Sequence, residues 1–148
     1  MSVPTEFDFA IIKMGDGAGS EVFSAICGMQ DVRINNTAST SDRFVRDCAK
    51  PGEVPKRYTQ TNGIQWDITG SGLSNATQVA TLMAAIGKKK NYKVECYDDD
   101  GTDTGALIGT YAGSLTLTAN NINLTREGQA TAEVTLASNG TITYTAAS

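Results

Sequence analysis

The densest group of oxygen ligands in this sequence is Asp98-Asp99-Asp100-Gly101-Thr102-Asp103. Hard cations such as Ca²⁺ are held by carboxylates and carbonyls in loops of this kind. The spacing does not complete an EF-hand. With Gly101 at the sixth position, the first falls on Cys96, and the twelfth on Leu107 where a bidentate Glu is required. The expectation is a solvated acidic turn, with Asp98, Asp100 and Asp103 as weak candidates and no metal assigned. Cys27, Cys48 and Cys96 are odd in number and widely spaced, without a Cys-x-x-Cys pair. They read as reduced thiols of a protein made in the cytoplasm. Histidine is absent. That removes the usual general base, the usual triad member and the usual transition-metal ligand. No catalytic set and no cofactor site remain, so the chain reads as a non-enzyme.

Two further motifs dissolve on inspection. Gly15 to Ser20 is glycine-rich but lacks the Gly-Lys-Ser/Thr ending of a phosphate loop, and β-like residues follow it. It predicts a hairpin turn. Lys88-Lys89-Lys90 has no aromatic interleaving and predicts a solvated cap at a helix C-terminus. With 12 basic against 16 acidic residues the net charge is −4, which opposes general nucleic-acid binding. No apolar run approaches the roughly 20 residues of a membrane span, and the first residues lack a basic and an apolar signal segment.

The elements that must carry these residues are mostly strands. The length of 148 residues fits one domain over 1–148, with enough chain for a core. In Gly63–Gly72, Ile64, Trp66 and Ile68 alternate with Gln65, Asp67 and Thr69, the signature of a half-buried strand, which Gly70-Ser71-Gly72 should break. A helix over about 75–87 follows, capped by Ser74 or Asn75 and closed by Gly87. Val79, Leu82, Met83 and Ile86 share one helical face, and are expected to bury Ile64, Trp66 and Ile68. Strands are also expected over Phe7–Met14, Glu21–Met29, Asp31–Asn36, around Tyr92–Tyr97, Leu107–Leu117, Ala130–Leu136 and Thr141–Ala146. Asn139-Gly140 predicts a hairpin between the last two. The fold class is therefore mainly β, sandwich or barrel-like, with one flanking helix.

The stretch of about 35–62 differs in character. It is polar, carries Pro51 and Pro55, and has no strong periodicity. Arg43, Arg46, Lys50, Lys56 and Arg57 lie in it, interleaved with Asp42, Asp47 and Glu53. Two readings are open: a solvated loop, or an arm that orders against a neighbouring subunit.

A strand of the form W-x-I-x-G-x-G at Trp66–Gly72, the polar stretch before it, the helix after it and the paired pattern of Gly128–Tyr144 together give a resemblance. The chain resembles the major tail tube proteins of long-tailed, non-contractile bacteriophages and gene transfer agents. The resemblance implies a structural virion-tail protein, assembled in the bacterial cytoplasm into stacked hexameric rings through which DNA passes. Its partners would be further copies of itself, the tape measure and the tail terminator, with DNA only in transit and no membrane. It makes Arg43, Arg46, Lys50, Lys56 and Arg57 candidates for inter-ring or inter-subunit contacts. A channel that passes DNA should avoid cations that pair with phosphate, so Thr116, Thr118, Thr131, Glu133 and Thr135 become lumen candidates. The competing reading is a non-catalytic β-sandwich module binding carbohydrate or calcium.

Overall fold

Alternating apolar residues put one face of each strand in a common interior, and the result is a rolled antiparallel sheet. The computed structural model describes residues 6–147. Its strands are β1 (Phe9–Gly15), β2 (Phe23–Ala25), β3 (Met29–Val45), β4 (Lys56–Leu73), β5 (Lys89–Asp98), β6 (Ala106–Asn123), β7 (Thr131–Ser138) and β8 (Thr143–Ala146). Between β4 and β5 come a 3-10 turn (Ala76–Gln78) and the helix α1 (Val79–Ala85). The order across the sheet is β2-β1-β5-β6-β7-β4-β3, with β8 also on β6. β3 comes back against β1, so the sheet curls toward a barrel. Ile12, Ile68, Tyr92, Val94, Leu115, Leu117, Val134 and Leu136 fill the interior, and Leu82 and Ala85 of α1 join them.

The stretch expected as a loop over 35–62 is a two-stranded ribbon. β3 and β4 pair continuously from Asn36↔Trp66 to Val45↔Lys56, with one irregularity at Ser39/Thr40, and only residues 46–55 form the turn. Neither face of this ribbon is buried, so the period-2 signal that marks a half-buried strand never appears. The Thr and Ser residues that look loop-like are compatible with a ladder.

Trp66 is only half-buried, with its ring 6.0 Å from that of Tyr111, and Ile64 is 68% exposed. Of the expected strand face, Ile68 alone is deeply buried, because β4 leaves the body and enters the ribbon just before it. The strand also continues through Gly70 and Gly72 instead of breaking there. The helix is shorter than 75–87. Its 3-10 entry is capped by Asn75, whose side chain accepts from the Thr77 N–H at 3.1 Å. It ends at Ala85, and Ile86 is extended and bridges Leu117. Leu82 therefore faces the core while Val79 is half-buried and Met83 and Ile86 are exposed. Gly87 takes φ +77, a left-handed value suited to glycine, and its N–H donates to the Leu117 carbonyl at 2.8 Å. Lys89 and Lys90 begin β5, and no basic side chain caps the last helical turn.

Two strand expectations also change. The stretch Glu21–Met29 yields only β2, and Met29 opens β3. Residues 139–142 do turn the chain, with Gly140 at φ +121, but β8 pairs with β6 from Gly109↔Ala146 to Ala112↔Thr143. β7 is already paired on both sides, with β4 and β6, so the last strand finds a different edge.

Candidate assembly surfaces

Every residue of the ribbon and its turn from Asn36 to Gln65 is exposed except Pro55. Beyond Asp67 β4 has lost β7, so both ribbon edges present unpaired backbone among the described residues. Such edges template pairing with another chain. Directly opposed residues share a face: Phe44 with Arg57 and Asp42 with Thr59 on one side, Arg43 with Tyr58 and Val45 with Lys56 on the other. The Thr59 hydroxyl donates to Asp42 at 2.8 Å. Arg46 organises the tip, its Nη1 donating to the carbonyls of Pro51 at 2.6 Å and Glu53 at 3.0 Å. Arg43, Lys50, Lys56 and Arg57 lie along the same exposed arm. Charge marks these cations in the sequence, and apolar residues stand beside them. Phe44 is 72% exposed and Val54 83%. A run with aromatics on both sides of a polar turn is the signal that could have revealed them.

The five threonine and glutamate positions lie on neighbouring strands. Thr131, Glu133 and Thr135 project from β7 opposite to Ala132, Val134 and Leu136, which face the core. Thr118 donates to the Thr135 carbonyl at 3.2 Å, and Thr116 accepts from the Asn139 side chain. The same polar face continues onto β4, where Thr69 pairs with Thr135 and Ser71 with Glu133, and onto β3, where Arg33 pairs with Thr69. Its other margin is basic. Lys89 on β5 stands directly across from Thr116.

A third surface is a cleft between β1 and β3 of about 440 Å³, with Phe9, Ala10, Val32, Ile34 and Tyr111 in its lining and Asp8 and Asp31 beside them. The acidic turn borders it. Asp8 accepts from the Asp99 N–H at 2.9 Å, a bond that holds the Asp8 carboxyl below its ordinary pKa. The hydrogen bond shared with Asp8 pushes Asp98 up, and the Thr102 hydroxyl and N–H hold Asp100 down. Asp99 accepts from the Gly101 N–H and Asp100 from the Thr102 N–H, each at 3.0 Å. Among the described residues Asp98, Asp100 and Asp103 do not converge on a cation site.

On the outward face of β1 and β5, Lys13 Nζ lies 3.0 Å from Glu95, and Tyr97 donates to the same carboxylate. Burial alone would raise Glu95, but the Tyr97 and Lys13 hydrogen bonds outweigh it and set the carboxyl below its usual value, while Tyr97 is pushed up to about 12. Because the folded pKa of Glu95 is depressed, its contribution is present at neutral pH and is lost as pH falls through the depressed value. Glu95→Gln should lower stability at neutral pH by about 1 kcal/mol or less, since the pair is partly solvated. The deficit should shrink toward zero in acid. Urea denaturation at a series of pH values measures this, and a pH-independent deficit would show that the carboxylate charge is not what matters.

A search by sequence among curated proteins finds no match. By structure, the chain is similar to a protein of the virion of a native gene transfer agent particle, with TM-score 0.65, 18% identity, and 96% of this chain and 99% of that one covered. It is similar to a protein in the tail of an empty gene transfer agent particle refined with C6 symmetry, with TM-score 0.62, 20% identity and coverage of 91% and 94%. It is also similar to a protein in the sheath/tube terminator of an extracellular contractile injection system, with TM-score 0.64, 17% identity and coverage of 97% and 98%. At such identities the likeness establishes the fold. The family described as Phage tail tube protein matches residues 5–144, nearly the whole sequence, and the chain belongs to that family of structural tail proteins, which are not enzymes.

Proposed function

We propose that the chain, acting as one tail tube domain, closes into hexameric rings that stack into a tube through which DNA passes. The observation that carries this reading is family membership combined with open edges along the projecting ribbon. Pairing an edge of one subunit with an edge of the next removes the unpaired backbone and makes a continuous wall. The six-fold symmetry of a structurally similar tail supports the ring number. The tube belongs to a long, non-contractile virion tail put together in the host cytoplasm, where tape measure and tail terminator would set its length.

The polar face of β6, β7 and β4 serves this reading as the lumen wall, with Thr116, Thr118, Thr131, Glu133 and Thr135 toward the DNA. Threonine and carboxylate groups neutralise no phosphate and so release none of the DNA's condensed counterions, and the polymer slides. Lys89 at the margin then belongs near a subunit junction. Concentrated protein should give rings or tubes by electron microscopy and a large scattering mass. A monomer at every salt and concentration would overturn the proposal. In assembled tubes, Glu133→Lys should slow or retain DNA in a salt-dependent way, and no change in retention would remove Glu133 from the lumen.

A further inference from the structure

Asn139-Gly140 carries a hairpin signal that the fold does not use as a hairpin. β7 ends at Ser138 against Leu115, and β8 begins at Thr143 against Ala112. β5 occupies the other side of β6 at both places, so β7 and β8 follow one another along the same side. Residues 139–142 therefore span only Gly113 and Ser114 of β6, which leaves slack in the chain. A type I′ turn would put Asn139 at positive φ, yet among the described residues only glycines have such values, Gly140 at +121 being one. The pair lies in an exposed bend. The Asn139 N–H donates to the Ser114 carbonyl at 2.9 Å, and among the described residues no acceptor meets the Gly140 N–H.

We propose that Asn139 is a site of spontaneous covalent modification, in which the free Gly140 nitrogen closes on the Asn139 side chain and water reopens the ring. The Gly140 nitrogen attacks Asn139 Cγ, so an N–Cγ bond forms and the Cγ–Nδ2 bond breaks. Ammonia leaves, carrying the former amide proton of Gly140. Water then adds to either carbonyl of the cyclic imide and gives aspartate or isoaspartate. The step needs an amide nitrogen that no acceptor holds, and glycine puts no side chain in its way. The modification needs no assembly and no partner but water. The new carboxylate stands beside Thr116, which accepts from the Asn139 side chain and lies across the ladder from Lys89. Isoaspartate also lengthens the main chain between Ser138, fixed in its ladder, and the buried Ile142, so it loosens the hold on β8.

The chain contains a second Asn-Gly pair for comparison. Asn62 and Gly63 are also exposed, and both asparagine side chains are engaged, Asn62 by the Ser41 hydroxyl and Asn139 by Thr116. The glycines differ. Gly63 lies inside the β3–β4 ladder opposite Ser39, so attack there first requires local opening of the ribbon.

Peptide mapping by mass spectrometry reads both sites at once in folded protein kept for several days in mildly alkaline buffer. Asn139 should convert at least about tenfold faster than Asn62, the factor that about 1.4 kcal/mol of local opening imposes. The product should separate into aspartate, matching an Asn139→Asp standard, and isoaspartate. In urea the two sites should converge on one rate, because only the fold distinguishes the two Asn-Gly pairs. Hydrogen exchange at Thr143–Ala146 should quicken in the isoaspartate form. Asn62 reacting as fast as Asn139 in the folded protein, or Asn139 staying intact there, would overturn the site. A rate gap that persists in urea would overturn its origin in the fold, and unchanged exchange would overturn its link to β8.

Discussion

Replacing residues 41–60 by an Asn-Gly turn is expected to abolish tube formation and leave the body folded, with a melting temperature within about 3 °C of the parent. Thr40 and Thr61 are already paired across the ribbon. A two-residue type I′ turn closes such a pair with the twist that flanking strands need. The removed segment contributes nothing to the core, where Ile68, Val134 and Leu136 sit further along the sheet. It does remove Arg43, Arg46, Phe44, Lys50, Val54, Lys56 and Arg57 together, so every candidate arm contact is lost at once. Shifts of this small size correspond to about 1 kcal/mol in a chain of this length. Thermal denaturation monitors the body and electron microscopy monitors the tubes. Normal tubes from the truncated protein would show that the ribbon is not the stacking element. An unfolded product would show that the ribbon is integral to the body.

The structure sharpens that experiment because the ribbon is already built in the isolated chain. The sequence leaves open a solvated loop or an arm that orders only against a neighbouring subunit, whereas the ladder from Asn36 to Val45 and the Arg46 bonds across the tip define a paired arm. Preordered arms lose less conformational entropy on docking than disordered ones. Assembly from such a subunit should therefore depend on what the exposed Phe44 and the cations meet more than on ordering the arm.

What was legible in the sequence follows burial. Where one face of a strand is in the core, as in Tyr92-Val94-Cys96 or Ala132-Val134-Leu136, alternation placed the strand and its inward face correctly. Where neither face is buried, as in Thr37–Val45, the same backbone carried no pattern. Trp66 sits at the border between these regimes, which is why a large ring expected at the centre is half-exposed against Tyr111. The partner of β8 was not legible either, since edge choice depends on which strands are already paired on both sides. Of the candidate surfaces, the arm is marked in the sequence by its cations, whose contacts are part of the tube proposal. The cleft is not marked, because it joins Asp8 and Phe9 to Val32 and Ile34 through the roll of the sheet.

Gly72→Ala is expected to destabilise the protein by about 3 kcal/mol or more, and Gly70→Ala, two residues earlier on the same strand, by no more than about 1 kcal/mol. Both glycines looked like strand breakers, and both lie inside β4. They differ in what a methyl group would strike. At Gly72 the Cβ would run into the Gly28 carbonyl oxygen and come within 2.7 Å of the Gln30 nitrogen. These are backbone atoms, and Gly28 is fixed by its φ of +94 and by the Leu73 N–H that donates to its carbonyl at 2.9 Å. Relief therefore requires parting β3 from β4 at the body end of their ladder, where β3 begins and β4 finishes, at the upper end of overpacking penalties. At Gly70 the nearest atoms are Ile12 Cδ1 at 2.8 Å, Met29 Sδ at 3.3 Å and Val134 Cγ2 at 3.4 Å. Ile12 Cδ1 and Met29 Sδ lie far out on side chains that can shift, and Val134 Cγ2 is at ordinary contact distance. The alanine also restricts the unfolded chain, which offsets part of the strain by about 0.4–1 kcal/mol. Urea unfolding of the two variants measures the difference. Equal losses would mean that the chain before β3 and the end of β4 are not as closely apposed at Gly28 and Gly72 as the structure has them.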